Sequence, residues 1–161
     1  VANNYASSNV DMPTMPLDIL SVFNNDNSVV VFDVGGDDDG ALALGQYKQY
    51  FDKYGYEMHF IVNTKRPLTR TNDELIEIAE RIESASRLKF TDIYNNTNLS
   101  DQTDETTLFS GYDEIKMLSK KMGIVIKKNC GIDKALSNVP TNLKDTVFRM
   151  NICILRPWEI Q

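Results

Sequence analysis

Asp33 closes a run of four apolar residues, Val29-Val30-Val31-Phe32, and two glycines, Gly35 and Gly36, follow almost at once. A largely β-branched run of that length predicts a strand buried on both faces. A carboxylate at a strand's end is placed to hold a hydrated magnesium ion, and a glycine amide just beyond it to donate to a terminal phosphate. The same aspartate also suits a plain role as a turn or helix cap. Asp37, Asp38 and Asp39 come next, where a helix is expected to begin, so they suit its free N–H groups and its positive end. As solvated caps they require no further chemistry.

Asn95 and Asn96 form the second candidate group. A carboxamide donates and accepts at once, so either residue can read a purine edge. Either can equally open an Asx-turn as the chain leaves a strand. Lys65 and Arg66, just before Pro67, are placed to meet an anion or to stay solvated in a loop. His59 is the only histidine, and no second histidine, cysteine cluster or nucleophile arrangement accompanies it. It is expected to be a packed residue, and nucleophilic catalysis has no candidate set. The G-x-x-x-x-G-K-[ST] loop that usually cradles nucleoside phosphates does not occur.

These residues need elements to position them. The polar, Pro-punctuated residues 1–16 predict a loop or arm, and Leu17 to Phe23 a short helix. After the glycine turn, Leu44, Tyr47, Phe51 and Tyr54 recur at helical spacing, and Gly55 suits the residue after a helix. Glu57 to Val62 predicts a second strand, ending at Asn63. Thr71-x-x-Glu74 has the form of a capping box, and Leu75, Ile78, Ala79, Ile82 and Ala85 continue it as a helical stripe. Leu88 to Tyr94 predicts a third strand, followed by a polar loop to Thr107. Tyr112, Ile115, Leu118 and Met122 mark another helix, stopped by Gly123, and Ile124 to Ile126 a short strand. Residues 131–146 look irregular, and Val147 to Leu155 fits an edge strand.

Strands alternating with helices imply a three-layer α/β fold with a mainly parallel sheet and an antiparallel or irregular C-terminal edge. Ligands of such sheets bind beyond the carboxyl ends of the strands. Asp33, Asn63 and Asn95-Asn96 all fall at such ends, so parallel pairing would gather them on one rim.

Composition narrows the classes. The 161 residues suit one domain, and 42% hydrophobic with 25% charged content is ordinary for a globular protein. A net charge of −6 disfavours nucleic acid and anionic membrane as general partners. No apolar run approaches the ~20 residues that a membrane span requires. Cys130 and Cys153 fit neither a disulfide framework nor a zinc pattern, and no signal peptide is evident, so a cytoplasmic location is expected. The start at Val1, without methionine, also fits a piece of a longer protein.

Four stretches, VVVFDVGGDDDGALALGQY, YFDKYGYEMHFIVNTKRPLT, ERIESASRLKFTDIYNNTNLS and KKMGIVIK, resemble the C-terminal half of ParA/MinD-type P-loop ATPases of the SIMIBI class. Within that superfamily the likeness is to a group of bacterial ATP-binding proteins. The resemblance implies that Asp33 belongs to Walker B, near magnesium. It places the backbone of Gly35 or Gly36 near the γ-phosphate, and assigns the adenine to Asn95 or Asn96. The family's glycine-rich loop and first strands have no counterpart here, which implies that they precede Val1 in a longer ATPase. ATP and magnesium would then belong to that parent, with no tight binding and no hydrolysis by this chain alone. Homodimerisation or self-association is expected with it. A non-enzymatic α/β interaction or scaffold module is the alternative. A phosphoacceptor receiver domain fits less well, because Lys65-Arg66-Pro67 closes the very next strand.

Overall fold

Ten regular elements and three short 3-10 helices order the described residues. The computed structural model describes residues 19–23, 29–36 and 38–153, the side chain of Asp38 excepted. In chain order these hold α1 (Ile19–Val22), α2 (Asp38–Gly45), α3 (Lys48–Tyr54), β1 (His59–Val62), α4 (Asn72–Ser86) and β2 (Asp92–Asn95). Then come α5 (Glu105–Phe109), α6 (Tyr112–Met122), β3 (Val125–Gly131) and β4 (Val147–Arg149). The 3-10 helices are Ser100–Gln102, Asp133–Leu136 and Thr141–Thr146. The expected arm at 1–16, Asp37 and the end of the expected last strand lie outside the described residues.

The fold is α/β with one four-stranded sheet of order β1-β2-β3-β4, and every pair is parallel. The C-terminal edge is therefore neither antiparallel nor irregular. β4 joins β3 in parallel, with Asn129 opposite Val147, after a crossover built from two of the 3-10 helices.

The chain divides into two compact units. The first comprises the described residues of Val1–Glu57 with Ala79–Lys89. Its core gathers Ala41, Ala43, Leu44, Phe51, Ala79, Ile82 and Leu88, all buried. Phe23 stacks with Tyr50 at 4.9 Å between ring centres and meets Phe51 edge-on at 5.5 Å. The expected single helix behind the acidic run is broken at Gln46-Tyr47 into α2 and α3. Gly45 ends α2 where a Cβ would lie 2.8 Å from the Ala85 carbonyl oxygen, so only glycine permits this packing. The Arg87 guanidinium donates to the Gly45 carbonyl from the other side of that contact. Gly55 follows α3 with φ of +79°, as its position predicts.

The expected strand at 29–32 is absent: residues 29–35 carry no regular secondary structure, and Val29 and Val31 are 95% and 86% exposed. Apolar β-branched residues favour an extended backbone, but a strand exists only where a neighbour completes its hydrogen bonds. No described strand pairs with this run.

The second unit, Met58–Ile78 with Phe90–Gln161, holds the sheet. Phe60, Val62 and Ile93 are buried from the strands, Leu108, Ile115 and Leu118 from α5 and α6. The capping box at the start of α4 forms as its residues predict. Thr71 Oγ1 accepts from the Glu74 N–H at 3.3 Å, and Glu74 Oε2 accepts from the N–H groups of Thr71 and Arg70 at 3.0 and 2.9 Å. Gly123 closes α6 in the left-handed conformation, φ +71°. The expected loop up to Thr107 instead contains α5, which Asp104 caps by accepting from the Thr107 N–H at 2.7 Å. The strand placed at Ile124 to Ile126 runs on through Lys127-Lys128-Asn129 to Gly131.

Candidate functional site

The carboxyl ends of β1, β2 and β3 lie on one rim of the second unit, because all three strands are parallel. Asn63 follows β1, Asn95 ends β2, and Asn129 sits opposite Asn95 in β3. Each of these amides is hydrogen-bonded within the unit. Asn63 Oδ1 accepts from the N–H groups of Lys65 at 3.0 Å and Asn98 at 3.2 Å, and its Nδ2 donates to the Asn98 carbonyl. Thr64 and Thr97 form a second, buried layer, their hydroxyls 3.2 Å apart.

The rim treats Asn95 and Asn96 very differently. Asn95 is fully buried; its Nδ2 donates to Leu108 O and Asn129 Oδ1, both at 3.1 Å, and its Oδ1 accepts from the Thr97 N–H at 3.1 Å. Asn129 passes the chain on, donating to Thr146 Oγ1 at 2.9 Å. Every hydrogen-bonding position that Asn95 has in the plane of its amide, one lone pair apart, is thus spent inside the protein. Asn96 is half-buried, and its Oδ1 is shielded from solvent with no partner. An orphaned acceptor of that kind is uncommon in folded proteins.

Asp33, Gly35 and Gly36 belong to the first unit, and all three are exposed. Neither glycine adopts the left-handed backbone. A Cβ on Gly36 would meet nothing within 4 Å. The close approach occurs at Gly40 instead, where a Cβ would come within 3.2 Å of the Gly35 backbone, folding the turn onto the first turns of α2. The structure thus brings Asn63, Asn95, Asn96 and Asn129 together in one unit, with the Asp33-Gly35-Gly36 turn in the other.

Beyond β1, Thr64, Lys65 and Arg70 line a cleft of about 350 Å³ together with Ser110, Gly111 and Glu114 from the start of α6. The basic partner of Lys65 along this cleft is Arg70, not the adjacent Arg66. The chain turns back between them, with Arg66 N–H on the Asn63 carbonyl at 3.1 Å and Thr69 Oγ1 donating to the same carbonyl at 2.7 Å. Gly111 closes one wall: a Cβ there would fall 2.3 Å from Thr64 Oγ1.

Asp92 is a further polar centre, which its place in a strand-like run does not single out. It pairs in register with His59, and the His59 Nδ1 lies 2.5 Å from Asp92 Oδ1. Lys127 Nζ and the Thr91 hydroxyl donate to Asp92 Oδ2 at 3.2 and 3.1 Å. This buried carboxylate is thus held by an imidazole, an ammonium and a hydroxyl. The visible signal is the only carboxylate in the strand-like run Leu88 to Tyr94, one strand after the only histidine. Cys130, at the far end of β3, is a buried thiol whose pKa burial pushes up to about 11.

A parallel α/β sheet with a polar carboxyl rim is the class that fold and geometry define. No known family, curated protein or solved structure matches the chain.

Proposed function

We propose that this chain is the C-terminal portion of a ParA/MinD-like ATP-binding protein, which does not hydrolyse ATP by itself. The observation that carries the reading is the carboxyl rim of the parallel sheet, where Asn96 keeps a shielded side-chain oxygen without a partner. That rim is where parallel sheets take their ligands. Asn95 is spent internally, so the adenine falls to Asn96, whose Oδ1 would accept from the exocyclic amine once the side chain turns out of its shielded position.

Asp33 is exposed, so a hydrated ion can reach it, and the open space at Gly36 leaves its backbone approachable. The family resemblance would put magnesium on the Asp33 side chain and the terminal phosphate against the backbone of Gly35 or Gly36. When bound, the ion would neutralise phosphate charge. Asp33 would orient its water shell, and the glycine backbone would register whether a γ-phosphate is there. ATP-linked dimerisation belongs to the same reading.

Labelled ATP with magnesium, titrated against this chain and against the protein extended by its natural upstream sequence, tests it. Saturable binding by the extended protein, weakened by Asn96→Ala, is the expected result. Absence of binding by both overturns it. A second reading, a non-enzymatic interaction module, draws support from the Asn95–Asn129–Thr146 chain, which has the character of an internal brace.

A further inference from the structure

We infer that the cleft beyond β1 is a binding site for a phosphate ester that also carries a free hydroxyl, with Lys65 and Arg70 on the phosphate and Glu114 on the hydroxyl. Three observations carry this. Lys65 and Arg70 reach the cleft from opposite ends of the turn that leaves β1, and both line its wall. Neither has a carboxylate within 4.0 Å among the described residues, although the chain as a whole carries a net charge of −6. Two cations on one cleft without a close ion pair, Arg70 acting on the Glu74 carboxylate only from longer range, gain two charge-assisted hydrogen bonds when an anion settles between them.

The residues at the start of α6 set the rest of the ligand. Glu114 adds one negative charge, which a bare polyanion would oppose and a hydroxyl donor would satisfy. Ser110 Oγ already donates to the Thr107 carbonyl at 2.9 Å, so towards a ligand it can only accept. Both groups therefore ask for a donor, while Lys65 and Arg70 ask for an anion. A phosphorylated sugar meets both demands. The cleft keeps its shape because Gly111 lies against Thr64, where any side chain would collide.

The cation pair stands without the nucleotide reading. Identifying the phosphate ester as a nucleotide would rest on that reading. Backbone amide NMR of this chain, titrated first with inorganic phosphate and then with AMP, separates the two. Saturable shifts at Lys65, Arg70 and Gly111 with phosphate are expected, with affinity falling at least about tenfold in the Lys65→Ala/Arg70→Ala double variant. Glu114→Gln is expected to weaken AMP while leaving phosphate binding equal or tighter. No saturation with phosphate, or saturation that survives the double variant, overturns the site. Equal effects of Glu114→Gln on both probes overturn the hydroxyl assignment. Phosphate shifts at the cleft leave the cleft standing whatever AMP does at Asn96, and the nucleotide reading falls only if the protein with its natural upstream sequence fails to bind ATP; AMP shifts at Asn96 without phosphate shifts at the cleft overturn the cleft alone.

Discussion

At the scale of single residues, adjacent asparagines of one type have opposite fates. Asn95 serves three internal partners, so its loss strands the Thr97 N–H, the Asn129 Oδ1 and the Leu108 carbonyl in a buried setting. Each orphaned group costs about 1–3 kcal/mol. Asn95→Ala is therefore expected to destabilise by about 2–4 kcal/mol in denaturant unfolding, allowing for some relaxation. Asn96→Ala removes an acceptor that has no partner, so stability is expected to hold or rise. Equal losses for the two variants would refute this division of roles. The cysteines differ in the same manner. Burial holds the Cys130 thiol protonated, with its pKa raised to about 11, whereas Cys153 is exposed. Near neutral pH, one thiol of the native protein is expected to react with a disulfide reagent and the second only after unfolding. Two equally fast thiols would contradict the placement of Cys130.

At the scale of elements, the capping box of α4 makes a pH prediction. Hydrogen bonds from the N–H groups of Thr71 and Arg70 hold the Glu74 carboxyl below its ordinary pKa. The Thr107 N–H does the same for Asp104 at the start of α5. Lowered pKa values mean that these carboxylates stabilise the fold above the ordinary carboxylate range of about pH 4, and that the contribution disappears as pH falls through their lowered values. Glu74→Gln is expected to be less stable than the parent at neutral pH, with the gap closing in acid. A gap that widens in acid would reverse the sign and refute the assignment. Elements with strong local signals were legible in the sequence. α4 and α6 show helical stripes with their own start and stop residues, and β1 is a bounded apolar run. What escaped depends on distant partners. Lys127-Lys128-Asn129 reads as the end of a strand, but Asn129 is held by Asn95 and Thr146, so β3 continues. α5, at five residues, is too short to display a period. Val29-Val30-Val31 has the composition of a strand but pairs with no strand among the described residues. The site follows the same pattern. Its amides stood out by type, while the choice between Asn95 and Asn96, and of Arg70 over Arg66, depended on contacts with residues far away or across a turn.

At the scale of the molecule, no helix among the described residues is long and apolar enough to cross a membrane. Val29 and Val31 nevertheless expose nearly all of their side chains to water. Apolar, β-branched residues left without strand partners favour association with another chain. Light scattering is expected to find a concentration-dependent oligomer, dispersed by Val31→Lys. A monomer at all concentrations would count against this surface being adhesive. The central claim is that nucleotide is read at the carboxyl rim of the sheet. Titrating magnesium-ATP against the protein with its natural upstream sequence tests that most directly. Saturable binding is expected, weakened at least about tenfold in Asn96→Ala and without magnesium dependence in Asp33→Asn. Binding indifferent to both substitutions, or no binding at all, would contradict it.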